Sequence, residues 1–333
     1  MHIFTNPNYN FLRWRWHAVA LSWLVILAGL GLIYTRGLAK GIEFAGGTSV
    51  IMQFDQTPSV DAVRTALNQN FAGGGQDAIV QTYGDPSLRQ VMVRVPQVGA
   101  EQGASLSSAA QAVEAALRKG NLGNFKVVGT EIVGPAVGAE LTQKGIWAFV
   151  LSLLGILAYI AFRFEFSFAV GAVIATLHDV LVTFAFLAFF RYDISLNVIA
   201  AILTVTGYST NDTIVIFDRV RENMRKMRRE SLGEIINVSI NQTLGRTVIT
   251  AGTALLSALA LFVFGGEVLH GFAFTMIVGI ITGTYSSVFV AAAIVTFWRR
   301  KSESRLSAAS ASAAATATPP GRRSKSQRKA RAS

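Results

Sequence analysis

The sequence contains no cysteine, only seven prolines and four histidines, and charged residues make up just 15% of its 333 positions. Without cysteine there is no disulfide framework, no thiolate metal ligand and no thiol nucleophile. A soluble domain carries about 25% charged residues, so this deficit requires surroundings in which charge is expensive. None of the eight lysines closes a G-x-x-x-x-G-K-[ST] phosphate loop, which argues against ATP hydrolysis. Gly207-Tyr208-Ser209-Thr210-Asn211 approaches a nucleophile elbow but lacks its last glycine and falls in an apolar stretch, so no hydrolase is expected. Neither a metal nor an organic cofactor is expected.

What is present is hydrophobic. Six apolar stretches, at 16–36, 145–162, 166–190, 194–217, 247–266 and 268–298, each approach the roughly 20 helical residues that cross a hydrocarbon core. Only Asp179 and Asp212 bring carboxylates into them. The first stretch exceeds an ordinary signal core and Tyr34-Thr35-Arg36-Gly37 offers no small-x-small cleavage site, so it reads as a retained anchor. With residues 1–15 inside, the inner segments hold twenty basic and six acidic residues, and the outer ones ten and eleven. That asymmetry, strongest in the 218–246 loop, places both termini in the cytoplasm. The net charge of +11 is therefore mainly topological, and no specific nucleic acid is expected as a partner.

The long outer segment, 37–144, reads as a folded domain. Alternation predicts a strand at 48–54, then a helix over 58–70 capped by Ser59 and stopped by Gly73-Gly74-Gly75. Strands follow at 78–83 and 88–95, a helix at 105–119, and a last strand at 125–133. The order βαββαβ is the split βαβ, ferredoxin-like arrangement. The fold class is thus an all-α six-helix membrane bundle with an inserted α+β periplasmic domain. That domain is either a binding or force-transmitting module or a spacer. Two motifs flank it: Gly41, Gly46 and Gly47 on one side, and Gly134, Pro135 and Gly138 on the other. Both are candidate hinges, with ordinary linker composition as the alternative.

Polar residues inside the apolar stretches are the candidate site. Residues 204–213 concentrate them, with Asp212 and its neighbour Asn211 at the end. A carboxylate there must find protein or water. Arg246, of matching depth, is the expected partner. Thr243, Arg246, Thr247, Thr250, Thr253 and Ser257 form one helical stripe. Gly271, Thr275, Gly279, Gly283 and Ser287 recur every four residues as a packing face. The reading is a proton switch through Asp212, Arg246, Asn211, Thr247 and Thr250, or a static pair that fixes packing. His178 and Asp179 read first as a hydrogen-bonded packing pair, and only second as part of a proton path. The basic segment 219–229 should meet anionic lipid, and the tail 299–333 should be disordered.

Together these motifs identify a family. The glycine motif at 41–47, the segment 133–141, His178-Asp179, GYSTNDTIVIFDRVREN at 207–223, NQTLGRT at 241–247 and GTYSS at 283–287 resemble the SecD/SecF protein-export family of the resistance–nodulation–division superfamily. The resemblance covers about residues 1–300, with Glu43 standing where the pattern usually has Asp. It implies half of a twelve-helix assembly in the bacterial inner membrane, completed by SecD and associated with the SecYEG channel, and YajC or YidC as further neighbours. It also implies a translocating preprotein as substrate, the proton-motive force as energy source, no enzymatic activity, and proton roles for Asp212 and Arg246. Two alternatives remain open: a proton-driven exporter of small molecules or lipids, and a non-conducting scaffold for SecD and SecYEG.

Overall fold

The structure is a computed structural model that describes residues 7–71, 78–84, 86–95, 104–164 and 166–297. The glycine stop expected at 73–75 and the basic tail at 299–333 lie outside the described residues.

The chain opens with a long helix, α1 (Phe11–Arg36), followed by a single-turn helix, α2 (Ile42–Ala45). Then come β1 (Gly47–Phe54), α3 (Val60–Asn70), β2 (Ile79–Tyr83), β3 (Gln90–Val95), α4 (Ala104–Lys119) and β4 (Phe125–Val133). Ser59 caps α3 by accepting from Ala62 N–H, as the serine before an apolar-periodic run should. The four strands form one sheet in the order β2-β3-β1-β4 with every pairing antiparallel.

Strand alternation gives the sheet two distinct faces. Val91, Val93 and Val95 join Val50, Met52 and Phe54 beneath α3 and α4, where Val63, Leu67, Val113 and Leu117 complete the core. Each such side chain fully buried contributes roughly 1.5–3 kcal/mol. Met92 and Arg94 therefore point the other way, toward the membrane helices. They line a cavity of about 290 Å³ between the sheet and the segment around Asp193.

That second face is tied down. Arg94 pairs with Asp193 at 3.0 Å, its side chain only 8% exposed and that of Asp193 22%. The same guanidinium donates to the Lys40 carbonyl at 3.1 Å. Gly41 N–H donates to Ile194 O and Ile194 N–H to Ala39 O, a short parallel backbone bridge. Gly46 and Gly47 then turn into β1 with φ of 71° and 119°, values that exclude most side chains.

Five long helices follow: α5 (Pro135–Arg163), α6 (Phe166–Phe190), α7 (Leu196–Lys226), α8 (Leu232–Phe264) and α9 (Gly266–Ser286). The last continues through a π turn, Ser287–Ala291, to Phe297. Among the described residues five helices are long and apolar enough to cross a membrane: α1, α5, α6, α8 and α9 with its extension. The 31-residue α7 is long enough, but its concentration of polar residues lowers its hydropathy. Large apolar side chains such as Leu24, Leu154 and Phe162 are exposed on α1 and α5, as lipid-facing helices require. The bundle interior is built around Phe168 and Phe217, packed edge to face at 5.0 Å, with Ile160, Ile236, Ile240 and Val295.

The basic connection over 218–246 is largely helix. α7 runs on to Lys226, and α8 restarts at Leu232 because Ser231 and Glu234 form a reciprocal capping box. Asn237 and Asn241 on α8 hold the segment before α1: Asn241 Oδ1 accepts from Tyr9 N–H at 2.8 Å and Asn237 Oδ1 from Phe11 N–H at 2.9 Å.

The Arg94–Asp193 pair generates a first prediction. Asp193→Asn leaves a largely buried guanidinium without its counter-charge and should cost about 3 kcal/mol of docking between sheet and bundle. Hydrogen exchange at the Gly41 and Ile194 amides should accelerate accordingly, while β1 and β3 remain protected.

Candidate functional site

α6, α7 and α9 meet along their polar residues. The close approach comes from the small-residue face of α9: a Cβ on Gly279 would collide with Val205, and one on Gly283 would meet Ser209 Cβ at 2.8 Å. Removing side chains there lets two helices touch backbone to side chain and brings hydroxyls into reach.

Asp179 on α6 is 1% exposed and fully engaged. Its Oδ1 meets His178 Nδ1 at 3.0 Å. Its Oδ2 accepts from Ser209 Oγ of α7 at 2.5 Å and from Ser286 Oγ of α9 at 2.8 Å. Beside it Thr176 and Thr210 hydroxyls lie 3.4 Å apart. His178 Nε2 is buried and has no hydrogen-bond partner among the described residues. The nearby Tyr285 hydroxyl bonds Ser22 at 3.0 Å and also reaches the Ala18 carbonyl, which fastens α9 to α1.

Asp212 on α7 lies one turn nearer the α7–α8 hairpin than Ser209. Its Oδ1 accepts from Thr247 Oγ1 of α8 at 2.8 Å, and its Oδ2 accepts from Ser287 Oγ of the π turn at 3.1 Å. The expected partner Arg246 makes no direct ion pair with Asp212 among the described residues and is exposed, yet its charge still acts on Asp212 from the position beside Thr247 on α8.

The expected hydroxyl stripe on α8 divides in the same way. Thr243 and Thr247 are buried, whereas Thr250, Thr253 and Ser257 are exposed and bond back to carbonyls of their own helix. Asn211 is likewise exposed. Of the flanking glycine motifs, Gly134 precedes α5 as its N-cap with Pro135 at the first helical position. Gly138 lies inside that helix, where a Cβ would press on the Phe44 carbonyl at 3.2 Å. Sequence reasoning missed Ser209 and Ser286 as carboxylate partners. Each follows a tyrosine in a run of small and polar residues, Gly207-Tyr208-Ser209 and Thr284-Tyr285-Ser286, a pattern that fixes no partner.

Helices with lipid-facing flanks, an external α/β unit and two carboxylates bonded among the helices define a polytopic membrane protein with a polar core. The family described as "Protein export membrane protein SecD/SecF, C-terminal" matches residues 112–301, and the "SecD/SecF GG Motif" matches residues 31–58. The chain is 44% identical over 292 residues to the protein translocase subunit SecF of Desulfurispirillum indicum, covering 87% of this chain and 91% of that one. It is 40% identical over 298 residues to SecF of Escherichia coli O157:H7, covering 90% of each. Crystal structures of SecDF are also similar. One, a translocon-associated membrane protein from Thermus, has a TM-score of 0.79 at 34% identity and covers 89% of this chain. The super-membrane-facing form of SecDF has a TM-score of 0.66. The chain spans about two fifths of the length of those SecDF chains. The chain belongs to the SecD/SecF family of protein-export membrane proteins, and its part is that of a Sec protein-export subunit.

Gly279 supplies the second prediction. Gly279→Val forces α9 away from Val205 and should destabilise the bundle by about 1–3 kcal/mol. Thermal unfolding in detergent, followed by tryptophan fluorescence, should show a lowered midpoint. Gly271→Ala should be better tolerated, because the added Cβ meets a Val198 methyl at 3.2 Å and the Tyr192 ring at an ordinary 3.7 Å.

Proposed function

We propose that the chain acts with SecD to convert the proton-motive force into work on a preprotein emerging from the SecYEG channel. The observation that carries this reading is Asp212, a carboxylate in the bundle whose two oxygens accept from two different helices. Ionised, it draws Thr247 and Ser287 inward together. Protonated, one of its oxygens becomes an O–H donor, so the hydroxyl facing that oxygen has to accept instead of donate and aim its own proton elsewhere. A change in charge is therefore a change in how α7, α8 and α9 fit. Asn211, Arg246 and Thr250, with Thr247, line the proposed proton path, with His178 and Asp179 as its deeper part.

Several features favour a partner in the bilayer. Thr204, Asn211, Arg246, Thr250, Thr253 and Ser257 are exposed on α7 and α8. Polar groups at that depth are expensive against hydrocarbon, and covering spans from SecD would satisfy them. In this reading α7 is the fourth of six spans, both termini face the cytoplasm across the inner membrane, and the sheet unit is a ferredoxin-like periplasmic domain. The topology β2-β3-β1-β4 supports that assignment. Motion of the bundle would reach the unit through the hinges at Gly41, Gly46 and Gly47 and at Gly134, Pro135 and Gly138. The chain itself does no enzymatic chemistry, and YajC or YidC would be accessory neighbours.

On the cytoplasmic side Lys226 and Arg219 bond Glu222 at 2.6 and 2.5 Å and hold its carboxyl below the usual glutamate range. Arg225, Arg228 and Arg229 are left for anionic headgroups.

Asp212→Asn tests the reading. In proteoliposomes containing the complete export complex, stimulation of preprotein translocation by an imposed proton gradient should fall at least about tenfold, as loss of an essential proton carrier requires. ATP-driven initiation and assembly with SecD should be unchanged. Full retention of gradient stimulation would make the chain a scaffold.

A further inference from the structure

We propose that Ser286 and Ser287 are positioning residues that couple the two intramembrane carboxylates, so that the hydrogen-bonding state of Asp212 is transmitted to Asp179 through the π turn. The proposal rests on reading Asp212 as a group that changes charge, and it adds a second carboxylate and the link to it.

The geometry begins with adjacency. Ser286 Oγ donates to Asp179 Oδ2 at 2.8 Å, and Ser287 Oγ donates to Asp212 Oδ2 at 3.1 Å. Consecutive side chains on a helix diverge by about 100°, so one point of the α9 backbone reaches both α6 and α7. Both serines are fully buried. Each has one alternative within its own helix. Ser286 Oγ lies 3.2 Å from the Gly283 carbonyl, and Ser287 Oγ lies 3.0 Å from the Thr284 carbonyl. A hydroxyl carries a single proton, so it serves either the carboxylate or the carbonyl at full strength.

The two choices are not independent. Ser287 N–H donates to the same Gly283 carbonyl that Ser286 Oγ can use. From Ser287 onward the ladder widens into the π turn, which leaves the backbone room to shift locally, a feature frequent at functional sites. When Asp212 releases Ser287, the turn around Gly283 adjusts, and Ser286 adjusts with it. Gly283 also packs against Ser209, the other donor to Asp179 Oδ2. One small backbone segment thus governs both donors of one carboxylate and one donor of the other.

Asp179 faces His178 on its own helix, with the Tyr285 ring centroid 6.4 Å from that imidazole. Asp212 faces Thr247, with the Arg246 charge on the same helix and Tyr208 one turn back on α7.

The test is an infrared titration of protonated carboxyl bands in the full chain with its SecD partner, reconstituted in nanodiscs. The Asp212 band is assigned by its loss in Asp212→Asn. Asp179→Asn should move the Asp212 midpoint by about half a pH unit or more, the scale of one altered hydrogen bond to a carboxylate. In a Ser286→Ala background the same replacement should move it by no more than the error of measurement, and Ser286→Thr, which keeps the hydroxyl, should restore the shift. A shift that persists in Ser286→Ala would mean direct electrostatic interaction and would overturn the proposal. So would an Asp212 midpoint indifferent to Asp179→Asn. Ser287→Ala repeats the cycle from the other end should Ser286→Ala fail to fold. Because coupling is reciprocal, Asp212→Asn should perturb the Asp179 band in the same serine-dependent way. If no Asp212 band titrates at all, the proton reading itself fails; a titrating band without serine-dependent coupling defeats this proposal alone.

Discussion

A carboxylate withdrawn from water must be met by protein donors, and in this chain that requirement organises the helices. Asp179 takes its partners from α6, α7 and α9, and Asp212 from α8 and the π turn after α9. Four helices are thereby specified relative to one another by two side chains. Apolar packing alone is permissive about rotation and sliding, because one leucine surface resembles another to its neighbour. Hydroxyl-to-carboxylate bonds are not permissive, since misplacing one leaves a buried charge short of a donor.

The rest of the architecture makes those bonds reachable. Gly279 and Gly283 remove the bulk that would hold α9 away from α7. The capping box of Ser231 and Glu234 fixes where α8 begins, and therefore the phase in which Thr247 arrives opposite Asp212. Asn237 and Asn241 hold the start of α1 against α8, and Tyr285 ties α9 to α1 through Ser22. At the other end Arg94 and the backbone bridge at Gly41 and Ile194 connect the sheet unit to the turn between α6 and α7. A displacement of α6 or α7 has a direct mechanical route to the sheet unit.

Much of this is legible in the chain, and the limits have physical causes. The sheet unit could be read almost element by element, because alternation at 48–54 and the Ser59 cap are local signals that local physics enforces. Asp212 stood out because charge is rare among apolar residues. Thr247 and Arg246 were both legible as its neighbours, but which of them bonds the carboxylate directly depends on helix phase, set by packing across three helices, and that is Thr247. Ser287 was read as one more small packing residue, since nothing in GTYSS announces a π turn that sends consecutive hydroxyls to different carboxylates. Arg94 and Asp193 are 99 residues apart, and their meeting depends on how the sheet seats on the bundle. The restart of α8 at Leu232 was available in the Ser231-x-x-Glu234 spacing, a local capping signal.

The central claim is that the charge on Asp212 selects the arrangement of α7, α8 and α9. Spin labels at the Leu232 end of α8 and on the extension of α9, with distances measured by pulsed electron resonance in nanodiscs holding the SecD complex, address it directly. The account predicts two resolved distances whose proportions change with pH in the native chain, and a single, pH-independent distance in Asp212→Asn. A native distance distribution that ignores pH, or a variant that still follows it, would contradict the account.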